Sequence, residues 1–165
     1  MPHESQADVP RIPASAGALI YDERGRLLIL KPTYKKGWTI PGGQIDAAGE
    51  SPWEACRRET REECGLIVTR GRLVGVDYRA PRPTRPGGLR FVFDCGAFGD
   101  AELGTIRLQP EEIEDHRFAE LSEALELLSG PLRRRVSHCA GQTRCVYLEE
   151  GRPVPAVDSA RMRPA

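Results

Sequence analysis

The sequence has 165 residues, of which 39% are hydrophobic and 29% are charged. A chain of this size and composition is typical of one soluble globular domain with a sizeable core. Lysine plus arginine equals aspartate plus glutamate, at 24 residues each, so the formal net charge is zero. This balance argues against a protein that binds nucleic acid or an anionic membrane through its overall charge. A phosphate-bearing ligand would therefore have to be held by local groups.

The two ends of the sequence and its cysteines predict how the chain is organised and where it works. No apolar run approaches the roughly 20 residues of a membrane helix, and the polar stretch Met1–Ile12 lacks the apolar core of a signal peptide. We predict flexible tails at residues 1–13 and 156–165 around a single domain at residues 14–155. The five cysteines are an odd number without a C-x-x-C spacing, which favours reduced thiols in the cytoplasm over a disulfide framework.

The first elements of the domain are predicted to be strands. Two apolar runs, Ala16–Tyr21 and Leu27–Lys31, flank a charged segment that contains Gly25, a pattern that predicts a β-hairpin. A short strand is predicted at Trp38–Ile40, and the Pro-Gly-Gly sequence at 41–43 should end it.

The clearest element of the sequence is a helix that begins after Ser51. Ser51 is a favourable N-cap, Pro52 suits the first helical position, and Glu54 completes a capping box. Helical composition continues to Cys64, and Gly65 can end the helix in a left-handed conformation.

The rest of the chain mixes short strands and helices. Strands are predicted at Leu66–Thr69, Leu73–Tyr78, Leu89–Phe98 and Phe118–Leu121, with a final hairpin formed by Arg144–Leu148 and Arg152–Val154. Helices are predicted at Ser122–Leu128, which Gly130-Pro131 should end, and at Arg133–Ala140. This irregular order predicts the α/β class with a mixed sheet.

Three glutamates of the first helix are the strongest candidates for chemistry. Glu59, Glu62 and Glu63 are spaced i, i+3 and i+4, so their carboxylates lie side by side. Like charges at this spacing destabilise a helix by about 0.2–0.5 kcal/mol per pair. A hard divalent cation would offset that repulsion, because carboxylate oxygens are the ligands that magnesium prefers. The alternative is a solvated face balanced by the neighbouring arginines.

The segment before the helix favours the metal interpretation. Gly42 and Gly43 allow the backbone to approach a phosphate closely, and Glu50 stands at the helix entry. An open, glycine-rich backbone therefore leads directly into an acidic cluster.

These residues resemble the Nudix box, G-x5-E-x7-R-E-U-x-E-E-x-G-U, where U is a bulky apolar residue. The sequence reads GQIDAAGE at 43–50 and RETREECGL at 58–66, and the spacing from Glu50 to Leu66 matches throughout. Two departures stand out. Six residues rather than five separate Gly43 from Glu50, and Thr60 occupies a position that is usually aliphatic.

The resemblance implies an α/β/α sandwich with a mixed central sheet and a magnesium-dependent hydrolase, with manganese as an alternative ion. Its substrate would be a small-molecule nucleotide, a nucleoside diphosphate linked to another group. The implied metal set is Glu59, Glu62, Glu63, Glu50 and Gly43, and Arg58 would orient Glu59. The general base varies in the family. Among Glu111, Glu112 and Glu114 on a later loop we rank Glu112 first, with ordinary loop charge as the alternative.

The substrate is less clearly encoded than the catalytic groups. We predict contacts with substrate from Gly42, Gly43, Lys31 and Arg79. Arg82, Arg85 and Arg90, in and around the same loop as Arg79, could also contact a phosphate or a sugar, with solvated surface charge as the alternative. Pro81 lies 15 residues after Leu66, a spacing associated with relatives that hydrolyse ADP-ribose, although a rigid turn explains it equally well.

Two other functions and one assembly are left open. A Nudix-like sensor that binds a nucleotide without turnover is the main alternative, and the longer glycine loop is the one feature that favours it. RNA decapping has little support, since the chain has no basic surplus. A homodimer would agree with the resemblance.

Overall fold

The computed structural model describes residues 11–155 and 157, so most of the two predicted tails lies outside the described residues. The strands are β1 (Ala14–Asp22), β2 (Leu27–Pro32), β3 (Gly42–Gln44), β4 (Arg72–Arg79), β5 (Gly88–Phe98), β6 (Ile113–Ala119), β7 (Val146–Glu149) and β8 (Arg152–Pro153). The helices are α1 (Pro52–Cys64), α2 (Asp100–Leu103), α3 (Leu121–Leu127) and α4 (Gly130–Cys139).

One mixed sheet organises these elements, in the order β6-β2-β1-β5-β4-β7-β8, with β3 paired to β1 beside β2. The pairs β1–β5 and β4–β7 are parallel, and the other pairs are antiparallel. Helix α1 packs on one face of the sheet through Cys56 and Cys64, and α3 and α4 pack on the other face through Ala124 and Val136. The predicted α/β/α sandwich with a mixed central sheet is confirmed. Among the described residues, no helix is long and apolar enough to cross a bilayer.

The sequence predicted helix α1 well because its signals are local. The Ser51 hydroxyl accepts from the Glu54 amide at 3.2 Å, and the Glu54 carboxylate accepts from the Ser51 amide at 2.8 Å. Gly65 ends the helix in the left-handed conformation, with φ of 75°. Cys56, Thr60 and Cys64 are buried on the side of the helix that faces the sheet.

Several predicted strands were wrong or misplaced. Residues 66–69 form no strand, because the Val68 carbonyl accepts from the Arg57 Nε rather than from a neighbouring strand. Trp38 and Thr39 form only isolated bridges. Gly42 and Gly43, predicted to end a strand, instead form β3.

The later boundaries also moved. Strand β6 begins at Ile113 and includes Glu114, so only Glu111 and Glu112 of the predicted loop lie in a turn. Gly130 and Pro131 begin α4 rather than ending α3, since proline is tolerated in a first helical turn. The short helix α2 was not predicted.

A buried ion pair fixes α4 to the sheet. The Arg135 Nε and Nη2 lie 2.8 and 2.7 Å from the Asp77 Oδ2, and the Gly151 amide donates to the Asp77 Oδ1 at 2.8 Å. Asp77 is fully buried and Arg135 almost so. One carboxylate of β4 therefore ties together α4 and the β7–β8 turn.

Removing the charge of Asp77 should destabilise the fold strongly, because Arg135 would stay buried without a counter-charge. We expect Asp77→Asn to lower the free energy of unfolding by roughly 3–5 kcal/mol, measured by urea denaturation. Glu123→Gln is the control, since it breaks the exposed ion pair with Arg117, and it should change stability by no more than about 1 kcal/mol. Equal effects of the two substitutions would contradict this role of Asp77.

The Thr60 hydroxyl is buried and, within the described part of the chain, has no hydrogen-bond partner. Replacing it with an apolar group of the same shape removes that cost, so Thr60→Val should raise the free energy of unfolding by about 1 kcal/mol. The exposed Thr69→Val serves as control and should stay within about 0.5 kcal/mol of the wild type. Destabilisation by Thr60→Val would show that the hydroxyl is satisfied in solution.

Candidate catalytic and substrate-binding site

Arg58 lies at the centre of a hydrogen-bonded network of carboxylates. Its Nε and Nη2 donate to the two oxygens of Glu50 at 2.7 and 3.0 Å, and its Nη1 donates to Glu59 at 2.9 Å and to Glu62 at 3.0 Å. The Nη2 also donates to the Gln44 carbonyl at 3.0 Å. One guanidinium thus connects three acidic side chains of the box to β3.

The network holds Glu50 in its ionised form. Hydrogen bonds from Arg58 and from the Asp46 amide lower the pKa of Glu50 to about 2. Hydrogen bonding to Glu50 first, and to Glu59 and Glu62 as well, raises the pKa of Arg58.

Glu63 is the most buried carboxylate of the cluster, with only 3% of its surface exposed. Its Oε2 accepts from the Gly42 amide at 2.8 Å. Burial raises the pKa of Glu63 to about 8, and the nearby charges of Glu59 and Glu112 add to the rise, although the Gly42 hydrogen bond opposes it. A positive charge placed here would be strongly favoured.

Positions 42 and 43 require glycine, because strand β1 and helix α1 leave no room for a side chain there. Gly42 has a φ of 142°, and a side chain on it would collide with the Ala16 carbonyl of β1. A side chain on Gly43 would collide with the Glu59 carboxylate. The two glycines therefore let β3 pair with β1 while helix α1 presses two carboxylates against it.

Glu59 shares the electrostatic situation of Glu63. Its side chain is 15% exposed. Burial raises the pKa of Glu59, and the charges of Glu62 and Glu112 act in the same direction against the lowering effect of Arg58. Glu62 differs, since its side chain is 51% exposed and contacts Arg58.

The structure brings Glu112 to the same cluster from a distant part of the sequence. Glu112 lies exposed in the turn before β6, and its carbonyl accepts from the Thr33 amide at 2.8 Å. Its charge acts on Glu59, Glu63 and Tyr34. Glu114 instead contacts Lys31, with 2.6 Å between the Nζ and the Oε1.

The donor groups fit a divalent cation, although they do not form a ready-made cage. Among the described residues, no three acidic, histidine or cysteine side chains are placed together as metal ligands. Arg58 occupies the carboxylates of Glu59 and Glu62, and the Gly42 amide occupies Glu63. Two half-buried or buried carboxylates with raised pKa are nevertheless the electrostatic setting that a cation stabilises.

The extra residue before Glu50 does not disturb this arrangement. Residues 47–49 form a turn, and Gly49, with φ of 89°, has open space around it. Glu50 still reaches Arg58 with both oxygens. The longer loop is therefore accommodated away from the carboxylate cluster.

A cleft of about 360 Å³ lies beside the cluster. Gly42 and Gly43 line it, and so do Lys35, Trp38 and an arginine from each of three elements: Arg79 of β4, Arg90 of β5 and Arg135 of α4.

Arg79 lines the cleft as predicted from the sequence, but Lys31 does not. Lys31 points outward from β2 and contacts Glu114, because it falls between the buried Leu30 and Pro32. Lys35 takes its place at the cleft, near enough for the Glu63 charge to act on it.

Arg135 was not identified from the sequence, whereas Arg90 was one of the arginines named as a candidate for contact with a phosphate or a sugar. Arg90 lies two residues before the buried Val92 and so shares its face of β5, a signal that shows its face of the sheet but not what that face covers. Arg135 pairs with a residue 58 positions away, which local patterns do not reveal.

The sequence model of the NUDIX domain family matches residues 11–138. A MutT-like protein of Streptomyces ambofaciens is 30% identical over 113 residues, which cover 65% of this chain and 70% of that protein. An RNA pyrophosphohydrolase of Gluconacetobacter diazotrophicus is 31% identical over 115 residues, which cover 64% of this chain and 62% of that protein.

Solved structures agree with the family assignment. A MutT NUDIX hydrolase from Burkholderia pseudomallei superposes with a TM-score of 0.58 and 27% identity, covering 74% of this chain and 91% of that one. A mutator MutT protein from Bacillus halodurans shares the fold, with a TM-score of 0.64, 21% identity, and coverage of 82% and 87%. The resemblance noted in the sequence is thus confirmed: the chain belongs to the NUDIX family, whose members generally use divalent metal ions.

Proposed function

We propose that this chain uses magnesium to hydrolyse a diphosphate bond in a nucleoside diphosphate linked to another group. One observation carries the proposal. The carboxylates of Glu59 and Glu63 are pressed against the Gly42–Gly43 backbone that also lines the cleft. A diphosphate in the cleft can approach this backbone closely, because neither glycine has a side chain.

The metal set comprises Glu59, Glu62, Glu63 and the backbone at Gly43, with Glu50 in a supporting role. Bound magnesium would neutralise the diphosphate and lower the pKa of an attacking water. Glu50 is already engaged by Arg58 and by the Asp46 amide, which favours a role in holding Arg58 over direct ligation. Arg58 in turn positions Glu59 and Glu62 through charge-assisted hydrogen bonds.

Glu112 is the proposed general base. Its carboxylate is exposed, and its charge acts on both Glu59 and Glu63. The Thr33 amide donates to the Glu112 carbonyl and the Thr33 hydroxyl donates to the Glu111 carbonyl, and these bonds hold the turn. A carboxylate so placed can accept a proton from water next to the bound diphosphate.

We also place the enzyme in the cytoplasm. Four of the five cysteines are buried thiols, which agrees with a reducing compartment. A nucleotide sensor without turnover is the alternative, but the loop that favoured it leaves the carboxylate cluster intact.

Substituting the metal-binding glutamates should abolish turnover. In a hydrolysis screen that follows the products by chromatography, over nucleoside triphosphates, ADP-ribose, nucleotide sugars and dinucleoside polyphosphates, with magnesium or manganese, we expect the wild type to hydrolyse at least one. For that substrate, Glu62→Gln and Glu63→Gln should each lower kcat by roughly 100-fold or more with the fold intact by circular dichroism. The exposed Glu126→Gln on α3 is the control and should retain wild-type activity. Tight binding of one compound without hydrolysis would support the sensor.

Substituting the proposed base should affect the chemical step. Glu112→Gln should lower kcat by roughly 100-fold or more with little change in KM. Glu111→Gln, in the same exposed turn, should keep the wild-type kcat. If the two variants behave alike, Glu112 is not the base.

A further inference from the structure

The far side of the cleft carries an arginine wall formed by Arg79, Arg90 and Arg135. Strand register fixes the distance between Arg90 on β5 and strand β3, which lies against the carboxylate cluster. Gln44 of β3 pairs with Ser15 of β1, and Ser15 pairs with Arg90 of β5. Since neighbouring strands lie about 4.8 Å apart, the backbone of Arg90 is about 10 Å from that of Gln44. A ligand that spans the cleft reaches both.

The charges behind this wall do not balance. Four guanidinium groups, those of Arg79, Arg85, Arg90 and Arg135, act on one another here, and the two carboxylates that act on them belong to Asp77 and Glu150. Asp77 pairs with Arg135, with 2.7 Å between the Oδ2 and the Nη2. Glu150 pairs with Arg85, with 2.7 Å between the Oε1 and the Nη2. Among the groups that act most strongly on Arg79 and Arg90, cations therefore outnumber carboxylates in this partly buried region.

Arg90 and Arg79 are the two arginines left with weak partners. Arg90 donates to the backbone carbonyls of Leu89 at 3.0 Å and Gly87 at 3.1 Å, and no carboxylate of the described residues pairs with it. The Arg79 Nε lies 3.7 Å from Glu150, too far for a hydrogen bond, and is buried without a partner in the described part of the chain. Burial, followed by the neighbouring positive charges, lowers the pKa of Arg90. An added anion would relieve both the repulsion and the unmet donors.

We propose that Arg90 and Arg79 bind a second anionic group of the substrate, a phosphate monoester or a carboxylate on the part remote from the diphosphate that is cleaved. The orientation of the substrate rests on the proposed function, which places the diphosphate at Gly42 and Gly43. The preferred substrates are therefore nucleoside diphosphate derivatives that carry a further negative charge about one nucleoside length from the reacting bond.

Pairs of compounds that differ only in the remote anion test this inference. ADP-ribose and its 2′-phosphate, and coenzyme A and its 3′-dephospho form, examine a phosphate monoester. UDP-glucuronate and UDP-glucose examine a carboxylate. For each pair we would measure kcat/KM for hydrolysis and, separately, the Kd by calorimetry without added metal. The wild type should favour the more anionic member of at least one pair by about tenfold or more in both measurements.

The preference for the more anionic compound should disappear when the positive charge of Arg90 is removed. Arg90→Gln should reduce the ratio of the two kcat/KM values, and the ratio of the two Kd values, by about tenfold, and Arg79→Gln should do so in part. Arg90→Lys keeps the charge and should preserve most of the preference. Arg82→Gln is the matched control, because Arg82 is exposed in the loop between β4 and β5 and does not line the cleft. Its ratio should equal that of the wild type. Thermal melting would verify that each variant is folded.

The outcomes separate this inference from the proposed function. Hydrolysis without any preference in the three pairs, or a preference that Arg90→Gln leaves unchanged, would overturn the arginine subsite while the hydrolase stands. An Arg90-dependent difference in Kd without hydrolysis of any compound would support the subsite and count against turnover. Equal loss of preference in Arg82→Gln and Arg90→Gln would assign the effect to general surface charge, and the subsite would be rejected.

Discussion

The contact between helix α1 and strand β3 is the constraint on which the rest of the site depends. Glu63 is buried against the Gly42 amide, and Glu59 lies against Gly43, so the helix can approach only because β3 has no side chains at these two positions. The cost of bringing negative charges into a partly buried region is visible in the raised pKa of both carboxylates. The site is therefore built with an unmet demand for positive charge.

Arg58 meets that demand only in part. It lies between Glu50, Glu59 and Glu62 and contacts all three, yet Glu63 is outside its reach and relies on a single backbone amide. Such an arrangement keeps the acidic side chains ordered and leaves the most buried one available for a cation. Oriented carboxylates of this kind are what a divalent ion requires, because their positions are set before it binds.

The cleft has a different character at its two sides. Carboxylates lie behind β3, and guanidinium groups from β4, β5 and α4 lie across it. The buried pair between Asp77 and Arg135 anchors this second side, because it fixes α4 on the sheet and brings Arg135 to the cleft. The acidic side is built by residues of the Nudix box, whereas the arginines of the basic side lie outside that box.

The sequence by itself determined helix α1, its caps and the spacing of its glutamates, since each of these depends on residues within a few positions of one another. It also predicted the first hairpin and the family, because the box is a continuous segment. Only the tertiary structure decided which cations face the cleft. Lys31 and Lys35 are equivalent in the sequence, but Lys31 is exposed near the end of β2 and pairs with Glu114, whereas Lys35 lines the cleft. Arg90 reaches the cleft through pairing of β1 with a strand about 75 residues later, a non-local contact whose register is set by the packing of the whole sheet.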